Sequence, residues 1–388
     1  MMLFWLWLYS YISLFSCRVT YGADTGYLRS TITDHFSDNR NHEVNNDNKK
    51  ASKEFIYQEF KRFGLETEYN NFSYPDLSSV PFANVVGILK GANFGTVNDR
   101  IVGLGAHYDT VKNTKGVDDN GAGVAAMLEV ARQLGSQNKQ GVKRNNTVIF
   151  ASFDLEEYEY IGSEVFIVQW LNPWLAKNYG QAARSLVPYG IIVLDTMMEY
   201  NTSSNSQKFP AGAESTFQNL FPTSFQSISS DHFRGDFLAM IYRKNADKPL
   251  ATSLSRSWSA ENRPQFEFES FPLPFSDVSS LNDTVMDSFG NFFRSDHRNF
   301  WVDNIPAIFL TDSANFRGDM VKCYHHPCDD LAMMLTDDNI NFLGKTSDAI
   351  ARSMNELSQP ITTHTSGCVR TTYSIMFCVL MMCANFIL

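Results

Sequence analysis

Positive charge is the scarcer sign in this chain. Its 388 residues carry 32 Lys and Arg against 42 Asp and Glu, for a formal net charge of -10. An acidic balance without any long block of one sign argues against nucleic acid and anionic membrane surfaces as partners. Long hydrophobic runs are lacking too. The two apolar stretches, 3–15 and 373–388, fall short of the about 20 residues that span a bilayer. Cysteine is sparse. Of six, Cys17 lies beside the first apolar stretch and Cys378 and Cys383 lie in the last, so the body keeps Cys323 and Cys328, with Cys368 at its margin. No internal repeat is present. The length suits one large α/β domain with a well-buried core, or two domains.

Both apolar stretches read as targeting segments. The first leads into small and polar residues ending at Gly22-Ala23, so 1–23 reads as a secretory signal peptide, although no basic residue precedes its apolar run. At the other end, Ser366-Gly367-Cys368, a short spacer with Arg370 and an apolar terminus read as a GPI-attachment signal. A plain hydrophobic anchor is the alternative for this tail, 359–388. The expectation is a body in the secretory pathway, extracellular or at the cell surface, tethered to the membrane by its C-terminus. Sequons at Asn71, Asn145, Asn201 and Asn282 agree with glycosylation there. An oxidising compartment favours a Cys323–Cys328 disulfide closing a small loop around His325; two free thiols, one of them a metal ligand, are the alternative.

Between the ends, strand and helix patterns alternate. Residues 24–50 are polar, with an amphipathic stretch from Arg29, and the domain proper is expected over 51–358. Apolar residues at helical spacing over 51–63 end at Gly64. Strands are expected over 84–89, 101–104, 147–153, 191–194 and 306–310. Helices are expected over 121–134, 162–170 and 338–357. Such alternation implies a mostly parallel sheet covered on both faces. Residues 200–290, rich in Phe, Ser and Pro, break the rhythm and are expected to form an irregular insertion that walls a pocket.

Acidic and histidine residues follow the strands, where ligands of such sheets bind. The segments are Gly-Ala-His107-Tyr-Asp109, Val-Asp118-Asp119-Asn120-Gly, Phe-Asp-Leu-Glu156-Glu157, Val-Leu-Asp195 and Tyr-His325-His326-Pro. Two imidazoles with several carboxylates suit zinc, which takes nitrogen and oxygen donors and leaves a position open in catalytic sites. His107 can bind metal while Asp109 holds its other ring nitrogen. Asp119, just ahead of a helix, can bridge two metals. Glu156 and Glu157 point apart on an extended strand end, so one can bind metal while the other faces substrate. Asp296 and His297 are candidates for supporting or pocket roles. A pair of metals activates water and polarises a carbonyl. The reaction class is metal-assisted hydrolysis.

These runs, with Ile161-Gly162-Ser163 and Ser295-Asp296-His297, resemble the M28 family of zinc peptidases over about residues 50–355, in family order. The resemblance implies a phosphorylase/hydrolase-like α/β three-layer sandwich and two Zn2+ per chain. It implies that one zinc takes His107 and Asp195 and the other Glu157 and His325. Asp119 would bridge them, with a cis peptide after it, and Glu156 would be the general base. The implied activity is an exopeptidase, foremost an aminopeptidase acting on peptides with a free N-terminus. A glutaminyl-peptide cyclotransferase, a carboxypeptidase and a non-catalytic receptor-like relative are the alternatives. The carboxypeptidase would need a basic pocket, for which Arg294, Arg298 and Arg317 are candidates. One departure stands out: the family's usual Gly-Leu after the Glu pair is replaced by Glu159 and Tyr160. Sequence leaves the oligomeric state open.

Overall fold

The apolar runs become strands of one mixed sheet because neighbouring residues pack into two different cores. In a computed structural model, which describes residues 22–77 and 80–361, the strands are β1 (Glu66–Phe72), β2 (Phe82–Leu89), β3 (Val102–His107), β4 (Lys143–Arg144), β5 (Val148–Phe153), β6 (Gly190–Leu194), β7 (Phe237–Arg243), β8 (Glu267–Leu273), β9 (Ala307–Thr311) and β10 (Pro360–Ile361). Eight of them form a sheet in the order β1-β2-β5-β3-β6-β9-β7-β8, and β4 pairs with β10. The β3–β5, β3–β6, β6–β9 and β7–β8 pairings are parallel. The β1–β2, β2–β5 and β7–β9 pairings are antiparallel.

Alternation along each central strand sorts its side chains. Leu104, Phe150, Ile192 and Leu310 enter one core, while Ile149, Phe153, Val193 and Phe309 enter the other. Successive strand residues point to opposite faces, and with both faces covered the strands read as continuous apolar runs. Gly105 on β3 is required by close approach, since a Cβ there would lie 2.6 Å from the Phe153 ring. The first core is covered by α1 (Thr25–His35), α2 (Asn46–Phe63), α3 (Gly123–Lys139) and the long helix Asp337–Ser358. Helices within 161–179 and His297–Val302 cover the second. The result is a three-layer α/β fold.

Caps set the helix ends. Asp24 accepts a bond from the Tyr27 amide to open α1. Asn45 caps α2, which closes at Gly64 with φ 88°. Thr336 accepts from Asn339 to begin the last long helix. Each cap satisfies amides or carbonyls that a helix end leaves without partners.

Two segments depart from expectation. Residues 24–50, expected to precede the domain as a polar segment, form α1 and the start of α2 and share one compact unit with everything through Ile361. Residues 200–290, expected to be irregular, supply β7 and β8 of the main sheet and several short helices. β7 is buried on both faces and carries the mixed run Phe-Leu-Ala-Met-Ile-Tyr-Arg, in which no period-2 polarity marks a strand. The expected signal peptide up to residue 21 and the tail from 362 lie outside the described residues. No described helix is long and apolar enough to cross a membrane.

Candidate metal centre

The carboxyl ends of β3, β5 and β6 meet where the chain reverses its progress across the sheet. From β3 it passes through α3 to β5 on one side, then returns to β6 on the other. Such a reversal leaves a crevice beyond the strand ends. His107 is the last residue of β3, the Glu156-Glu157 pair follows β5 by two residues, and Asp195 follows β6 directly. Asp119 lies in the tight turn of Val117–Ala122 that opens α3, and the Asp119–Asn120 peptide is cis. Gly116 ahead of it has φ +66°, and a Cβ there would meet the Asp119 carbonyl at 2.3 Å.

Two triads result. His107 Nε2 lies 3.4 Å from Asp195 Oδ1 and 3.4 Å from Asp119 Oδ1. His325 Nε2 lies 3.2 Å from the other Asp119 oxygen, Oδ2, and 3.2 Å from Glu157 Oε2. Asp119 thus offers one oxygen to each. Zinc bonds of about 2.1 Å at tetrahedral angles hold neighbouring donors roughly 3.4 Å apart. The observed spacings match this and are longer than ordinary hydrogen bonds. Asp119 Oδ2 and His325 Nε2 are buried without a hydrogen-bond partner. Both triads therefore fit a cation. Glu156 also approaches His107 Nε2, but at 3.8 Å it is the more distant carboxylate, which leaves it free beside the first triad.

Electrostatics point the same way. Burial opposes a charged His107, yet the surrounding Glu156 and Asp195 raise its pKa well above the imidazole range. His325 is likewise pushed to about 10, with burial opposing and Asp119 and Glu157 prevailing. Burial and the Asp119 charge lift Glu157 to about 7, and burial lifts Glu156 well above a normal carboxyl. The site gathers more negative charge than two imidazoles neutralise, and a bound cation inverts those shifts.

The supporting groups are mostly buried carboxylates. Asp109 faces His107 Nδ1 at 3.4 Å and accepts the amides of Glu156 (3.0 Å) and Glu157 (3.3 Å). Asp118 turns away from the triads and accepts the amides of Met197 and Met198, both at 2.9 Å, fixing the chain after Asp195. Asp296 is fully buried and, through burial first, has its pKa raised to about 8. His297 belongs to the aromatic core, stacked on Phe309 with ring centroids 4.5 Å apart. His326 and Glu159 are exposed, while Tyr160 lies under the Arg298 guanidinium.

Sequence reasoning missed three supports. Asp329 accepts the amides of Asp118 (2.8 Å) and Asp119 (3.1 Å); its signal was the Asp329-Asp330 pair just past the histidines. Arg40 is fully buried and donates to the carbonyls of Tyr108, Lys115 and Gly116. Asn39 bonds the carbonyls of Val111, Lys112 and Thr114. Cys323 and Cys328 form a disulfide that closes the loop holding His325. Among the sequons, Asn71 and Asn282 are exposed and Asn145 and Asn201 half-buried.

The profile of Peptidase family M28 matches residues 84–235, a stretch holding His107, Asp119, Glu156, Glu157 and Asp195 and ending before His325. Over that stretch the chain is similar to peptidase family M28. The match supports a metallopeptidase, a hydrolase, with zinc as the implied metal. The chain is 27% identical to the Escherichia coli protein YfbL over 334 residues, 81% of this chain and 80% of that one. Aminopeptidase Y of Saccharomyces cerevisiae is 29% identical over 157 residues, 40% of this chain and 27% of its own length. Most curated relatives are thus matched over a minor part of their length. Among solved structures, BSAP, a zinc aminopeptidase from Bacillus subtilis, superposes with a TM-score of 0.55 at 12% identity, covering 88% of this chain and 96% of that one. Porphyromonas gingivalis glutaminyl cyclase reaches 0.56 at 15% identity, covering 87% and 99%. These likenesses show a shared fold.

Proposed function

We propose that this M28-like chain is an aminopeptidase that removes the first residue of peptides outside the cell, using two zinc ions to each of which Asp119 would offer one oxygen. His107 and Asp195 would hold one ion and Glu157 and His325 the other. When bound, the pair supplies Lewis acidity that polarises the scissile carbonyl and makes water a better nucleophile. Glu156 is free beside His107 and takes the proton of the attacking water, then returns it to the departing amine, a role worth typically 10²–10⁴-fold. Asp109 keeps His107 oriented and holds the Glu156 and Glu157 amides, so base and ligands keep one geometry.

The observation that carries the exopeptidase reading is a cavity of about 90 Å³ beside Asp195, lined by Phe209, Phe217, Phe292 and Tyr324. It receives one side chain next to the metals. The candidate arginines do not assemble a carboxylate clamp. Arg317 is fully buried and spent on Gln207 and the carbonyls of Glu199 and Phe237. Arg298 covers Tyr160, and Arg294 bonds Asn315. Arg294 and Lys208 nevertheless line the cavity, so the carboxypeptidase stays the alternative, while the aromatic lining favours an aminopeptidase over a cyclase built for a polar glutaminyl side chain. The Cys323–Cys328 bridge and the exposed sequons Asn71 and Asn282 support an extracellular setting. Membrane tethering through the C-terminal tail is part of the proposal.

Hydrolysis of aminoacyl-arylamides by purified protein tests the reading. Activity should vanish with chelator, return with zinc and be lost in Glu156→Gln. Zinc-loaded, folded protein that cleaves none of them would overturn it, and cyclisation of glutaminyl peptides would then be assayed.

A further inference from the structure

The cavity beside Asp195 runs sideways across the sheet. Its lining takes in Asp195 and Tyr324, Thr311 on β9, residues of β7 and Phe271 on β8. β6, β9 and β7 are consecutive neighbours, so two strand spacings, about 10 Å, separate Asp195 from β7. β7 turns Phe237, Ala239 and Ile241 to this face, and all three line the cavity. Ala239 stands in register with Thr311, between two bulky neighbours. Its side chain is one methyl, so the space continues past β9 to β7. Leucine at this position would project into it.

The walls are aromatic. The ring centroids of Phe217 and Phe271 lie 6.1 Å apart with planes at 72°. Phe292 lies 5.5 Å from Phe217 and 6.4 Å from Phe271. Rings so arranged leave edges and faces for another ring to meet.

We infer that Ala239 sets the depth of the side-chain pocket and that this chain selects peptides whose first residue is a large aromatic. The inference rests on the aminopeptidase reading. An alanyl methyl ends near Asp195 and leaves the cavity unfilled. A phenyl or indole group crosses β9 and reaches the wall rings above Ala239. Leucine spans part of that distance and has no ring to offer, so it falls between the two.

The test is the ratio of kcat/KM values, which is insensitive to the fraction of folded protein. For zinc-loaded wild type, the phenylalanyl substrate should exceed the alanyl one by about 100-fold or more, given that a single methylene in an apolar pocket is worth about tenfold or more. Ala239→Leu should cut that ratio by about tenfold, chiefly through KM. Ile241→Ala should move preference the other way, toward tryptophanyl over phenylalanyl. Equal rates for alanyl and phenylalanyl substrates, or a ratio unmoved by Ala239→Leu, would overturn the inference. If nothing is cleaved, the aminopeptidase reading fails by itself, and calorimetric binding of L-phenylalaninol against L-alaninol still decides the pocket. Tighter phenylalaninol binding that Ala239→Leu abolishes supports it, and equal binding sinks it.

Discussion

Replacing Asp329 with alanine should damage the metal centre although Asp329 belongs to neither triad. Its carboxylate is fully buried and accepts the amides of Asp118 and Asp119. Alanine leaves both amides without a partner, at about 1–3 kcal/mol each, so about 2–6 kcal/mol in total. With an unfolding entropy of about 2.1 cal/mol/K per residue over about 340 residues, each kcal/mol moves Tm by about 1.4 °C. The melting temperature should fall by about 3–8 °C. Asp119 would also lose its backbone anchor while owing one oxygen to each triad, and loss of such support typically weakens metal affinity 10–100-fold. Asp329→Asn retains one acceptor oxygen and should show about half the stability loss. Calorimetric melting and competitive zinc titration measure the two effects separately. A destabilised variant with unchanged zinc affinity would mean that Asp329 supports the fold alone. Unchanged Tm and unchanged affinity together would refute the reasoning.

Glu156→Gln should retain zinc, because Glu156 lies beside the first triad and farther from His107 than its carboxylates, and lose about 10²–10⁴-fold in kcat; loss of bound zinc in that variant would instead make it a ligand. Chelation should lower Tm, by about 8 °C if wild type is first held at free zinc of 100 times the Kd of both sites, since each occupied site contributes about 2.7 kcal/mol; an unshifted melt would deny that the ions bind the folded chain preferentially. Cys323→Ser with Cys328→Ser should weaken zinc at the His325 triad while leaving the His107 triad filled, read as a drop from two ions to one at limiting zinc. Burial, then Asp231 and Glu267, raise Asp236 from 3.8 to about 7. The folded state therefore favours its proton, the group costs nothing below about pH 4, and stability falls as pH rises from 4 to 7. Asp236→Asn should flatten that slope in denaturant titrations at pH 5 and pH 8, and an unchanged slope would show that Asp236 stays ionised.

The sequence made the centre of the sheet legible, because β3, β5, β6 and β9 are buried on both faces and appear as short apolar runs. It made the ligand set legible because His107, Glu156-Glu157 and Asp195 stand directly beyond those runs. The edge of the sheet was not legible. β7 and β8 sit among aromatic loops, and Pro272 within β8 reads as a break where an edge strand tolerates it. The supports were hidden for another reason. Arg40, Asn39 and Asp329 act on backbone amides and carbonyls about 70 to 210 residues away, and a backbone group leaves no mark in the residue pattern. Polar residues such as Asn39-Arg40-Asn41 look like solvated surface until the loop they hold is known.

The burial of Arg40 makes the N-terminal arm a structural part of the metal centre. Its guanidinium ties the turn between His107 and Asp119 from a point ahead of α2. Removing the chain ahead of α2 would spare every metal ligand and the whole sheet, yet release the loop joining the two halves of the site, so the site's integrity is distributed well beyond its own motifs.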